Sequence, residues 1–167
     1  MKKLIFILIL FSMITCIRNP TALVEPYFNP NDLDKLELEN LENFWQGDTV
    51  EIWINPIPYI REYEGFLKSM DFRCDLKGIG IFVFKTQVIA VNLLGDWNSF
   101  SNSILLEGDT HDVIEEKWWY IKGDPMSTIL VNKFNTILML HNYYMNKNDL
   151  MNTAIEITDR IDRLSRS

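Results

Sequence analysis

The chain predicts an α+β fold, a single domain in which a mostly antiparallel sheet of about four to five strands packs with about four helices. Three observations lead there. The middle of the chain is dense in β-branched and aromatic residues bounded by turn formers. The strand-like runs there follow one another through connections too short for crossover helices, which makes the pairing antiparallel. Helical spacing dominates towards both ends instead. No Gly/Ser-rich or Pro-rich linker divides residues 31–167, and that length holds an ample core without disulfides.

From residue 31, Leu33, Leu36, Leu41, Phe44 and Trp45 recur three to five apart and Gly47 follows as a stop, so a first helix is expected. Residues 49–54 alternate, with Val50, Ile52 and Ile54 against Thr49, Glu51 and Trp53, the period of a half-buried strand. Pro56 and Pro58 break that strand. Pro58 is well placed to open a second helix over 59–70, through Ile60, Tyr63, Phe66, Leu67 and Met70.

Strands are then expected at 72–76, 78–84 and 88–94. Lys85-Thr86-Gln87 reads either as a turn or as a bend in one long strand, since it lacks the Gly or Asn of a tight hairpin. Further strands are expected at 103–107 and 117–122, separated by the Gly108-Asp109 turn signal and a helical turn at 111–116. Asp124 and Pro125 can cap and open a third helix, with Leu130, Phe134, Ile137, Leu138, His141, Tyr144 and Met145 on one face. Asn148 is expected to cap the last helix, in which Leu150, Ala154, Ile157, Thr158, Ile161 and Leu164 fall together. Its opposite side carries acid-before-base pairs four apart, such as Glu156 with Arg160 and Asp162 with Arg166.

The first sixteen residues carry a different signal. Lys2 and Lys3 precede an apolar run over 4–14, broken only by Ser12, which ends at Thr15-Cys16 and is soon followed by Arg18, Asn19 and Pro20. The run is shorter than the roughly 20 apolar residues a spanning helix requires. Met13-Ile14-Thr15-Cys16 resembles the lipobox of bacterial lipoproteins, with Thr before the Cys and Met in place of the usual Leu as departures. The resemblance implies a signal peptide over 1–15, lipidation of Cys16, a tether over 16–30 containing Pro20, Pro26 and Pro30, and a domain over 31–167. The expected location is the cell envelope, anchored to a membrane through N-terminal lipid. In a double-membraned cell Ile17 after Cys16, in place of Asp, resembles lipoproteins sent on to the outer membrane.

If Cys16 carries lipid, Cys74 is left unpaired and reads as a buried, inert thiol. The formal charge of −7 becomes −9 once the leader takes away two lysines and no acid, which argues against nucleic acid as a partner.

The densest polar run is Asp109-Thr110-His111-Asp112-Val113-Ile114-Glu115-Glu116. On a helix starting near Thr110, His111 and Glu115 would share a face at a spacing used by metal sites, although a zinc site needs three or four ligands. Thr110 reads equally well as an N-cap with acids in the first turn. His141 reads as a satisfied core or boundary histidine. Trp118 and Trp119 on a strand point to opposite faces, and the face with Trp118 and Tyr120 is the expected partner-binding one. There is no Walker loop, dinucleotide fingerprint, Gly-x-Ser-x-Gly elbow or zinc-protease motif, so neither a cofactor nor a metal is expected. The expectation is a non-catalytic binding or adaptor protein of the envelope, with an envelope protein or a glycan as partner. The alternative is an envelope hydrolase with a metal or acid–base site around His111, using Asp109, His111, Asp112 and Glu115, with His111 as general base.

Overall fold

The computed structural model describes the backbone of residues 26–100, 108–113, 116–122 and 126–166, and the side chains of 26–96 and 126–166. The leader, Cys16 and most of the expected tether therefore lie outside the described residues, as do the expected strand at 103–107 and Glu115. Seven strands form one sheet: β1 (Glu51–Ile54), β2 (Phe66–Cys74), β3 (Lys77–Phe84), β4 (Gly108–Val113), β5 (Glu116–Lys122), β6 (Ser127–Lys133) and β7 (Thr136–Asn142). The order is β1-β2-β3-β7-β6-β5-β4, and every neighbouring pair is antiparallel. Helices α1 (Glu42–Trp45), α2 (Pro58–Arg61), α3 (Gln87–Phe100) and α4 (Lys147–Ser165) complete the domain, with 3-10 helices at Pro30–Leu36 and Leu38–Asn40. The α+β class and the antiparallel sheet are as the sequence predicts.

Both faces of the sheet centre are covered. On one side α4 and the N-terminal segment bring Leu150, Ala154, Ile157, Ile161, Phe28 and Leu36 onto Ile79, Ile81, Val131 and Leu138. On the other, Ile60 of α2 and Ala90, Leu93 and Leu94 of α3 meet Phe82, Phe84, Leu130 and Ile137. Strand β3 is buried along its whole length in consequence.

Four of the expected helices and strands are corrected here, and one cap. The first helix is broken into two 3-10 helices and the single turn of α1, because Glu37 (φ 49°) and Gln46 (φ 57°) adopt the left-handed conformation that ends a helical run. The apolar spacing still buries Leu33, Leu36, Leu41, Phe44 and Trp45. The helix expected over 59–70 covers only Pro58–Arg61, and from Phe66 the chain is strand β2. Gly65 (φ +82°) makes the change of direction, where a Cβ would come within 2.5 Å of Ile89 Cδ1. A register shift between Phe66 and Lys68 lets Phe66 enter one core and Leu67 the other, and this mimics helical spacing.

The strand expected at 88–94 is helix α3 instead. The Thr86 hydroxyl accepts from the Ile89 N–H at 3.3 Å, and Ala90, Leu93 and Leu94 are buried at helical spacing. The helix expected from Asp124 is the β6–β7 hairpin, turning at Phe134-Asn135 with Phe134 at φ 49°. Strands packed on both faces lose their polar alternation, and so an apolar run resembled a helical face. The last helix is where the sequence places it, but its cap is Asn146: Oδ1 accepts from the Asp149 N–H at 3.0 Å, and Nδ2 donates to Asp149 Oδ2 at 2.7 Å.

Asn135 at the β6–β7 turn is 2 % exposed and fully used. Its Oδ1 accepts from the Phe28 N–H (2.7 Å), while Nδ2 donates to the carbonyls of Phe28 (3.1 Å) and Phe84 (2.8 Å). Its own carbonyl accepts from the Phe84 N–H at 2.9 Å. Replacing Asn135 with Ala strands three buried backbone groups, each worth about 1–3 kcal/mol when left unpaired. The expected loss is roughly 3–5 kcal/mol in urea unfolding. A loss below about 1 kcal/mol would mean that the strap at Phe28 and the end of β3 are held by other contacts.

Candidate functional site

A cleft of about 390 Å³ opens where the ends of β3 and β7 meet α1 and the first turns of α4. Its floor comes from two register partners, Lys77 at the start of β3 and Asn142 at the end of β7. Lys77 is buried, and its ammonium donates to Asp48 Oδ2 at 2.7 Å and to the Trp45 carbonyl at 3.1 Å. The hydrogen bond from Lys77 holds the Asp48 carboxyl below its ordinary pKa, outweighing the desolvation that opposes it. Cys74, half-buried beside this pair, has its thiol pushed up, first by burial and then by the Asp48 charge. It is therefore a protonated thiol, in keeping with the inert reading.

Asn142 is 1 % exposed. Its Oδ1 accepts from the backbone N–H groups of Tyr144 (2.7 Å) and Met145 (3.1 Å), which turns the chain from β7 towards α4. Two donors fix which end of the amide carries oxygen, so the end left over is Nδ2, and it has no partner among the described residues. Along α4, Asp149, Asn152, Thr153 and Glu156 recur at helical spacing and form one wall, and Asn43 of α1 and Gln46 just after it line the cleft with them. Tyr144, 75 % exposed, stands on the rim with Met145.

A second polar group lies on the α3 side of the sheet. Asp71 is wholly buried in β2, and its Oδ2 accepts from Arg73 Nε at 2.6 Å and from Arg73 Nη2. The guanidinium also lies 5.6 Å from the Trp53 ring centre. His141 of β7 is half-buried with its ring against Gly78, where a Cβ would come within 2.2 Å of the imidazole. Burial lowers its pKa, opposed by the Asp71 charge and reinforced by Arg73. It is a boundary histidine as expected, on a strand and not a helix.

The outer edge of β1 pairs with no other strand among the described residues. Ile52, Trp53 and Ile54 are 49, 49 and 63 % exposed, and Tyr59 beyond them is exposed as well. A half-buried strand was expected here, but all four of its residues are exposed; among the described residues Arg73 lies over the Trp53 ring, and only Val50 before the strand joins the core.

The residues singled out in the sequence lie at the opposite end of the sheet. Asp109, His111 and Asp112 belong to strand β4 and not to a helical turn, so the four-residue spacing from His111 to Glu115 has no helical basis. The register pairs Asp109 with Tyr120, His111 with Trp118 and Asp112 with Lys117. The His111 row continues through Trp118 to Val131 and Leu138 of the α4-side core, whereas His141 pairs with Gly78 and Thr128 in the row of the opposite face. The two histidines lie on strands three apart in the sheet, and the register aligns His141 with Gly108 and not with His111, so they are not brought together. The strand expected around Trp118 and Tyr120 is β5, and the side chains of 97–125 lie outside the described residues.

No protein-family model and no curated protein matches the chain. Among solved structures, the extracellular domain of PknH from Mycobacterium tuberculosis is similar over 82 % of this chain and 98 % of its own, at 8 % identity and a TM-score of 0.52, which is a likeness of fold. A GTP binding regulator from Thermotoga maritima overlaps 78 % of this chain and 86 % of its own at 11 % identity, with a TM-score of only 0.39.

Because folding depresses the His141 pKa from the ordinary value near 6.5, the unfolded chain takes up a proton that the folded chain refuses. Stability from this group is complete above that value and is lost as pH falls below it. Thermal unfolding between about pH 5 and 7.5 should therefore show stability rising with pH, and His141→Gln should flatten that rise. An unchanged slope in the variant would assign the dependence to other groups.

Proposed function

We propose that the chain is an exported lipoprotein of the cell envelope, anchored through acyl chains on Cys16, whose folded domain is a non-catalytic binding or adaptor protein. The observation that carries the binding reading is the open edge of β1. Natural sheets blunt their edges with charge, proline or a covering element, because a row of unpaired backbone groups is a template for another strand. Here the edge is flanked by Ile52, Trp53 and Ile54, with Glu51 as its one charged residue. Apolar area kept in that position suits strand addition by a protein partner, with backbone hydrogen bonds supplying affinity and the exposed side chains supplying selectivity. The anchor is supported by the charged, short apolar leader ending at Cys16. Among the described residues no helix is long and apolar enough to cross a membrane.

Two measurements test the two halves separately. Metabolic labelling with a fatty-acid analogue should mark the wild type and not Cys16→Ala, and equal labelling would overturn the anchor. A photo-crosslinker at Trp53 in intact cells should join the chain to a specific partner. The double variant Ile52→Lys, Ile54→Lys should abolish that adduct while changing the unfolding free energy by no more than about 1 kcal/mol, as surface positions do. An adduct that persists in the double variant removes the β1 edge from the binding reading.

A further inference from the structure

The cleft floored by Lys77 and Asn142 is distant in its chemistry from the apolar β1 edge, and its ligand is argued independently of that surface and of the anchor. A buried amide N–H without a partner costs about 1–3 kcal/mol, so a native fold that keeps one has a use for it. Asn142 Nδ2 is such a donor, and no acceptor among the described residues reaches it. Whatever meets it must present oxygen.

The walls narrow the choice. The side-chain amides of Asn43, Gln46 and Asn152 make no hydrogen bond with the described residues, so each offers both a donor and an acceptor. Asp149 and Glu156 add carboxylates, already holding Asn146 and Arg160 and still able to accept. Lys77, the cation on the cleft floor, is neutralised by Asp48. An anionic ligand would therefore meet the Asp149 carboxylate, which is held by an amide and not by a cation, and an apolar one would leave the amides unpaired. A hydroxyl both donates and accepts and carries no charge, which is what mixed amide and carboxylate walls match. Tyr144 on the rim supplies an exposed aromatic face, and the volume lies within the range of small-molecule sites.

We propose that this cleft binds a neutral saccharide, with Asn142 Nδ2 donating to a sugar oxygen, the amides and carboxylates of α1 and α4 taking its hydroxyls, and Tyr144 packing against a pyranose face.

The test is an NMR titration of the full-length ¹⁵N-labelled protein with two neutral trisaccharides, maltotriose and tri-N-acetylchitotriose. Saturable shifts of the Asn142 side-chain amide and of the residues around Tyr144 are expected with at least one of them. Asn142→Asp keeps an oxygen for the Tyr144 and Met145 N–H groups but turns the free donor into an acceptor. Tyr144→Ala removes a ring that is largely in solvent. Each should weaken binding about tenfold or more, the factor for loss of one good polar or stacking contact. Thermal unfolding checks that the variants are folded; should Asn142→Asp not fold, Tyr144→Ala decides alone. No saturable shift with either sugar, full binding by either folded variant, or equal binding of a sulfated trisaccharide would overturn the proposal. The last two outcomes would point to a surface away from the cleft and to a site for anions respectively.

Discussion

Two meanders, β1-β2-β3 and β4-β5-β6-β7, meet only where β3 pairs with β7, and the rest of the structure depends on that one pairing. It is a long-range contact, because the chain leaves β3, crosses through α3 to the far edge and returns strand by strand before β7 reaches its place. The loop-closure entropy must be repaid by a seam buried on both sides. Ile79, Ile81 and Val83 face α4, and Phe82 and Phe84 face α3. Asn135 locks the end of the seam, joining groups 51 and 107 residues away in sequence through one amide.

With both faces of the centre occupied, anything the domain binds is displaced to an edge or to the strand ends. Edge β1 is long enough to pair and too short to build a covered face of its own, which leaves its side chains in solvent. Where β3 begins and β7 ends, beside α1 and α4, polar residues replace the apolar layer and line the cleft. Lys77 and Asp48 illustrate the cost of that replacement. A buried ammonium is tolerated only because a carboxylate and a backbone carbonyl meet it at hydrogen-bond distance. Asp71 is the analogous case on the other face, with one oxygen bound by Arg73 and the other without a partner among the described residues.

The class of fold was legible in the sequence because it follows from composition and connection length, which survive errors in individual elements. The terminal helix was legible too, since one of its faces is solvated and its apolar residues keep the 3.6 period. What failed were the segments buried on two sides. Residues 127–142 carry apolar groups destined for both cores, and without a polar face a strand has no period to read; in 66–74 the register shift after Phe66 sends Phe66 and Leu67 to different cores and hides the alternation that runs from Ser69. Residues 87–94 failed for the opposite reason: Val88, Ile89 and Val91 favour a strand by propensity, while Thr86 and the spacing of Ala90, Leu93 and Leu94 specify a helix. The cleft was invisible for a different reason. It joins Asn43, Lys77, Asn142 and Asn152, four ordinary polar residues with no spacing in common, and the one signal open to a sequence reader was the Asn-Tyr-Tyr-Met turn after an apolar run.

Two asparagines bracket β7, and the difference between them separates scaffolding from recognition. Asn135 and Asn142 are equally buried, each sits at a change of chain direction, and each accepts backbone N–H groups through Oδ1. Asn135 also spends both Nδ2 hydrogens on backbone carbonyls, so nothing of it remains for a ligand. Asn142 spends none. The turn it makes needs only an oxygen acceptor, and aspartate or serine forms turns of that kind as well. Asparagine adds a donor that the turn does not use, at a position where leaving it unpaired costs stability. That surplus donor, on the floor of a cleft walled by other unspent amides, is chemistry the fold itself has no need of.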